Sequence, residues 1–183
     1  MKQIIVIALT FLTLVSYSQD NYNYTNKLTE VEGTSFVIAT AENRGKMDGV
    51  KNRYLLFIDT KTGQTNQVEF PGEGYLQKVE QVKIDDLGIN QIIVAAQTVD
   101  LNGKKGIDWN DPKQIIVLST DGKQRTQLTD NKLFVRTWVV NKKTGTIVIT
   151  RHYDTNNNGK YDNTDKNEIG IYDLKTLKLI SKL

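Results

Sequence analysis

The feature that most restricts how this chain can fold is an internal repeat. Three segments follow one plan: "SFVIATAENRGKMDGVKNRYLLFIDTKTGQTNQVEF" from Ser35, "QIIVAAQTVDLNGKKGIDWNDPKQIIVLSTDGKQRTQL" from Gln91 and "TIVITRHYDTNNNGKYDNTDKNEIGIYDLKTLKLISKL" from Thr146. Each opens on a β-branched apolar run and crosses a loop containing Asn, Gly, Lys and Asp. It then returns in a second apolar run, turns on polar residues and ends in an alternating segment. Aligned on Phe36, Ile92 and Ile147, the copies are offset by 56 and 55 residues. A unit repeated at this spacing cannot bury its apolar faces alone and must stack against its neighbours.

Ahead of the second and third copies lies one more alternating run, "KVEQVKI" from Lys78 and "FVRTWVV" from Phe134. Each is followed by a turn, "DDLG" ending at Gly88 and "NKKTG" ending at Gly145. Alternation with period two marks half-buried strands, and glycine supplies the positive φ that a tight reversal needs. One unit therefore reads strand, turn, strand, loop, strand, turn, strand. Helical periodicity is nearly absent, and "LKLISKL" near the C-terminus alternates as well as it fits a helix. Pro71, Gly72 and Gly74 punctuate the boundary between the first two units. The expectation is an all-β fold of three four-stranded antiparallel repeats, at about 22–70, 75–129 and 133–183, within one domain spanning 19–183.

The stretch "LSTDGKQRTQLT", Leu118 to Thr129, resembles the closing strands of blades in TolB-like and WD-repeat-like β-propellers, where a "DG" turn precedes a polar strand ending in "LT". "IDTKTGQTNQVEF" and "YDLKTLKLISKL" are similar to it. The resemblance covers most of residues 22–183 and implies a propeller-like stack. Propellers close with about four to eight blades, against three units found here. Three readings stay open: irregular strands hidden in "NYNYTNKLTEVEG", a ring completed by another chain, or an open β-sandwich or barrel of repeated hairpins.

The loop of the third copy, within "HYDTNNNGKYDNTDKNE", spaces oxygen donors at alternate positions. Numbered from Asp154, it places Asn156 at 3, Asn158 at 5, Gly159 at 6, the Lys160 carbonyl at 7, Asp162 at 9 and Asp165 at 12. Calcium takes about six to eight oxygens, and glycine at the sharp bend lets alternate residues turn inward. The loop resembles the "DxNxDGxxxxxD" loops of dockerins and EF-hand proteins, and its first nine positions resemble the "DxDxDGxxD" hairpins of integrin-type propellers. The strand-like flanks "TIVITRHY" and "NEIGIYDL" favour a calcium-binding β-hairpin. Asn at positions 3 and 5, and Asp in place of Glu at 12, imply weaker binding, about 10⁻⁴ to 10⁻³ M as in extracellular modules. The alternative is a solvated turn rich in Asn and Gly.

In the second copy Asp100, Asn102, Asp108 and Asp111 align with Asp154, Asn156, Asp162 and Asp165. Lys104 replaces Asn158 and the glycine arrives one place late, at Gly106. This loop is a weaker metal candidate, or a former site held by the Lys104 ammonium and by packing of Trp109. The first copy keeps only Asn43, Gly45, Lys46 and Asp48 and reads as a plain turn.

Residues 1–18, "MKQIIVIALTFLTLVSYS", carry one cation, a short apolar run and small residues before Gln19, as a secretory signal peptide does. The run is shorter than the roughly 20 residues of a membrane span. It resembles leaders of the Bacteroidetes type, which implies export to a bacterial periplasm or exterior. The chain has no cysteine, so neither a disulfide nor an acylated cysteine is available. Its net charge of +3 is spread among interspersed lysines and acids, which disfavours nucleic acid as a partner.

Catalytic signals are sparse. The single histidine, His152, stands at a strand end and reads as a rim side chain. There is no cysteine nucleophile, no GxSxG elbow and no glycine-rich phosphate cradle. Trp138 alternates within its strand and reads as core. The chain thus reads as an exported, calcium-stabilised, non-catalytic binding or scaffold protein with an unidentified protein or glycan ligand. The alternatives are a hydrolase of glycans or peptides at a propeller-type cleft, and an accessory subunit that completes its ring by homo-oligomerisation.

Overall fold

The computed structural model describes residues 22–45, 49–72, 74–104 and 106–183, so the expected leader at 1–18 lies outside the described residues. The chain forms twelve strands in three sheets of four, each a simple meander of antiparallel neighbours. The first sheet holds β1 (Tyr22–Glu30), β2 (Phe36–Gly45), β3 (Gly49–Asp59) and β4 (Thr65–Pro71). The second holds β5 (Leu76–Ile84), β6 (Ile89–Gln97), β7 (Lys113–Ser119) and β8 (Arg125–Gln127). The third holds β9 (Leu133–Asn141), β10 (Thr146–Tyr153), β11 (Lys166–Asp173) and β12 (Leu179–Lys182). Among the described residues there is no α-helix; a single 3₁₀ turn, Asp85–Leu87, closes β5 onto β6. The all-β class and the three four-stranded repeats are as the sequence predicts, and the propeller-like arrangement is not closed.

The hairpin register refines the repeat. The turn after the third strand is closed by Asp59 N–H to Gln64 O, Ser119 N–H to Gln124 O and Asp173 N–H to Lys178 O, at 2.9, 3.1 and 3.0 Å. Counting back from these anchors, the cross-strand pairs Val37–Ile58, Ile92–Leu118 and Ile147–Tyr172 are equivalent. Val37, not Phe36, is therefore the partner of Ile92 and Ile147. In a strand a slip of one residue exchanges the two faces, so this correction decides which side chains meet.

With the register set, the second sheet presents one face to the first sheet and the other to the third. Ile38, Leu55, Phe57, Val68 and Phe70 of the first sheet pack on Ile92, Val94, Ile116 and Leu118 of the second. The opposite face of the second sheet, with Ile93, Ala95, Ile115 and Val117, packs on Ile147, Ile149, Tyr172 and Leu174 of the third. This explains why "IIVAA" and "IIVL" are unbroken apolar runs while β10 alternates: β6 and β7 are covered on both sides and β10 on one. The two outermost faces carry apolar side chains that no other sheet covers. Leu28 is 65% exposed on the first sheet, and Val139 is 63% exposed on the third. Trp138 packs against the core between the second and third sheets, as its alternation predicts.

Candidate functional site

Both candidate loops join the second and third strands of their sheets, so they emerge side by side from the second and third repeats. They share most of their internal wiring. In the third repeat the Asp154 carboxylate accepts the main-chain N–H of Asn158 and Gly159 at 3.1 and 2.9 Å. The Asp165 carboxylate accepts those of Thr155 and Asp162, both at 3.0 Å. In the second repeat Asp100 accepts from Gly103 and Gly106, at 2.7 and 3.2 Å, and Asp111 from Leu101 and Asp108, at 2.9 and 2.8 Å. Asn156 Oδ1 accepts Asn158 N–H, and Asn102 Oδ1 accepts Lys104 N–H. The hydrogen bonds of the two loops coincide at positions 3 and 12, while the position-1 carboxylate takes the N–H groups of positions 5 and 6 in the third repeat and of positions 4 and 7 in the second.

Positive φ appears where the chain bends hardest: at position 4 in both loops, Asn157 at 56° and Gly103 at 66°, and at Gly159, 70°. The short polar side chain of Asn tolerates this region, and glycine enters it at no steric cost. Gly159 is also buried and lies against the Asn102 backbone, so the two loops touch.

The acids differ in environment. Asp154 is 1% and Asp165 8% exposed, whereas Asp162 is only half-buried. Hydrogen bonds from the Thr164 hydroxyl and N–H, and then from the Asn156 amide, hold the Asp162 carboxyl well below the usual carboxylate range. Neither Asp154 nor Asp165 pairs with a lysine or arginine among the described residues. Each of their four oxygens takes one main-chain donor and keeps a second lone pair. Buried charges in proteins are normally paired or bound to metal, so this arrangement suits a cation. Among the described residues no three acidic or imidazole side chains gather to metal-holding range. A cation here would therefore also draw on the Asn156 and Asn158 amide oxygens and the Lys160 carbonyl, with Asp162 at the open side.

The second loop keeps the buried acid, Asp111 at 4% exposure, but Lys104 is exposed and pairs with none of the acids among the described residues. Trp109 is 78% exposed, so the packing expected of it is absent; it stands at the rim of a cleft between the two loops. In the first repeat β2 and β3 stay paired out to Gly45 and Gly49, which removes the long loop, and Lys46 and Asp48 lie outside the described residues.

The histidine is not the rim side chain the sequence suggests. His152 is 1% exposed, its ring stacked on Phe134 at 5.0 Å and tilted against Tyr161 at 3.9 Å. Burial, and then the charge of Arg136, depress its pKa, against a smaller opposing pull from Asp165. Neither ring nitrogen has a hydrogen-bond partner among the described residues. Among the described residues no carboxylate is hydrogen-bonded to the imidazole, the arrangement that orients a catalytic base. Sequence spacing could not find this site, because Phe134 and Tyr161 reach His152 from another strand and from the loop.

No protein-family model and no curated protein matches the chain. Among solved structures it is similar to Pyrococcus horikoshii acylaminoacyl peptidase, at 9% identity and a TM-score of 0.47, over 88% of this chain and 25% of that one. It is also similar to cobalt-substituted Synechocystis ACO, at 14% identity and a TM-score of 0.40, over 93% of this chain and 40% of that one. The chain thus spans well under half the length of these structures.

Proposed function

We propose that the protein is an exported, non-catalytic binding or scaffold module of the propeller-like kind, whose third-repeat loop is braced by calcium. Asp154 and Asp165 would hold the ion from the buried side, and Asn156, Asn158, the Lys160 carbonyl and Asp162 would complete an oxygen shell of the dockerin or integrin-hairpin type. When bound, the ion supplies charge compensation and stiffness, not chemistry. The observation that carries this reading is the pair of buried carboxylates, Asp154 and Asp165, with no cation partner among the described residues. A ligand that binds only the folded form stabilises it by about 2.7 kcal/mol at 100 times its dissociation constant. Thermal melts in calcium and in chelator test this: the wild-type midpoint rises with calcium and Asp154→Ala loses the rise. A wild-type midpoint indifferent to millimolar calcium would reject the proposal.

A second reading, self-association into a closed ring, is favoured by the two outer faces. The outer face of the third sheet, with Val139, Val148 and Ile169, is the equivalent of the faces that the first and second sheets cover internally. The outer face of the first sheet, with Val37, Leu56 and Ile58, is the equivalent of its complement. Light scattering reads the outcome as twice the monomer mass, reverting to monomer in Val139→Glu.

A further inference from the structure

The cleft between the two loops contains a buried polar group that the fold leaves unpaired. His152 lines this cleft of about 610 Å³, and both of its ring nitrogens lack a partner among the described residues. The rings of Phe134 and Tyr161 both pack on the imidazole, at 5.0 and 3.9 Å between centroids. A buried donor or acceptor without a partner costs about 1–3 kcal/mol, and a polar group entering the cleft beside the ring would offset that cost.

The charge around that group has one sign left over. Lys104, Lys113, Arg136 and Lys160 all line the cleft, and among the described residues none forms an ion pair with a carboxylate; Arg136 lies over the Tyr161 ring at 5.2 Å. The acids that also line it, Asp108 and Asp111, are turned to main-chain donors, Asp108 to Asn110 N–H at 2.7 Å and Asp111 to Leu101 and Asp108 N–H. Four cations facing two acids already bound into their loop favour an anion. The rim adds flat apolar surface: Trp109 is 78% and Tyr161 50% exposed. The Gln77 and Asn110 side-chain amides line the same space. A mostly polar cleft with an exposed indole fits a hydroxylated ring with a negative group. The chain has no glycine-rich cradle of the kind that holds the phosphates of a nucleotide.

We propose that this cleft binds an acidic saccharide, its carboxylate at Arg136 and Lys113, a sugar face on Trp109 and a hydroxyl on the His152 ring nitrogen. The proposal deepens the binding-module reading and does not depend on calcium in the loop. A ring stacked on Trp109 quenches or shifts its fluorescence, whereas a small inorganic anion held by the cations leaves the indole untouched.

The test titrates digalacturonate into the full chain, by calorimetry and tryptophan fluorescence, in calcium and in chelator. The expected result is saturable binding in at least one buffer, weakened tenfold or more in Arg136→Gln and in Trp109→Ala. Neutral cellobiose binds at least tenfold more weakly. Both substituted side chains are exposed, so the variants keep the wild-type melt; Lys113→Gln gives a third reading if either does not. No binding in either buffer, or variants that bind like wild type, overturns the proposal. So does sulfate binding as tightly as the saccharide, which would mark a site for free anions. The calcium melt reports the loop and the titration reports the cleft, so either reading can fail without the other.

Discussion

A Cβ placed on Gly159 would lie 2.7 Å from the Cα of Asn102, so the loop of the third repeat is seated directly on the backbone of the loop before it. Gly88 has a similar φ, 63° against 70°, but nothing within 4 Å of its absent Cβ. Gly88→Ala therefore carries the backbone penalty alone, about 1 kcal/mol. Gly159→Ala adds the collision and should cost about 1–3 kcal/mol more, since backbone atoms cannot step aside as a side-chain end can. For a chain of this size each kcal/mol lowers the melting midpoint by about 2–4 °C. Equal shifts in the two variants would mean that the loops do not touch.

The joint between the first two sheets has its own tight point. Gly122, at φ 73°, leaves room for the Phe57 ring, whose nearest atom would stand 2.4 Å from a Cβ there. Phe57 is fully buried in the core that joins these sheets, so the ring has nowhere to move. Gly122→Ala should destabilise by at least about 2 kcal/mol, from strain and overpacking together. A urea midpoint within error of wild type would contradict this packing.

Arg151 is a buried cation with a defined answer. Its guanidinium pairs with Glu168, directly across from it on β11, and with the Tyr172 hydroxyl, and lies over the Tyr172 ring at 5.4 Å. Gly170 is next to it because any Cβ there would meet the guanidinium carbon at 2.9 Å. Removing one partner of a buried pair strands the other, at about 3–5 kcal/mol, while replacing both by apolar groups is often neutral. Glu168→Gln, on the more exposed side, should cost less than that range, and Arg151→Met more than Glu168→Gln. The double variant should recover part of the loss, which chemical denaturation measures.

Acid should weaken the turns that set the register. The Asp59 carboxyl is depressed by hydrogen bonds from Ser35 and then from Lys61 N–H and Thr62, and Asp173 chiefly by Thr176 N–H. A folded pKa below the unfolded value contributes stability that is present above the unfolded value, about 3.9, and is lost as pH falls through the folded one. Urea midpoints measured from pH 5 down to pH 2.5 should therefore fall, and fall less in the Asp59→Asn, Asp173→Asn double variant. Identical slopes would remove these turns from the acid response.

The sheets were legible because their signal is local. Alternation in "KVEQVKI" and "FVRTWVV", and glycines at the reversals, report the pleat residue by residue. The slip between Phe36 and Val37 arose because an apolar run has no marker of phase; the Asp59, Ser119 and Asp173 turns do, through their hydrogen bonds. The loops were legible as a pair because their side chains bond their own main chain. The cleft was not, since Lys113, Arg136 and His152 come from different strands and converge only after the second and third sheets are packed. Exposure of Trp109 likewise depends on what the neighbouring loop leaves open.

The middle sheet, walled in on both sides, relies on the two flanking sheets to keep water off it. Trimming the chain to any two consecutive repeats would wet one side of β6 and β7 and leave long greasy strands able to pair with a stranger. A shortened version should therefore precipitate rather than persist as a smaller copy of the whole.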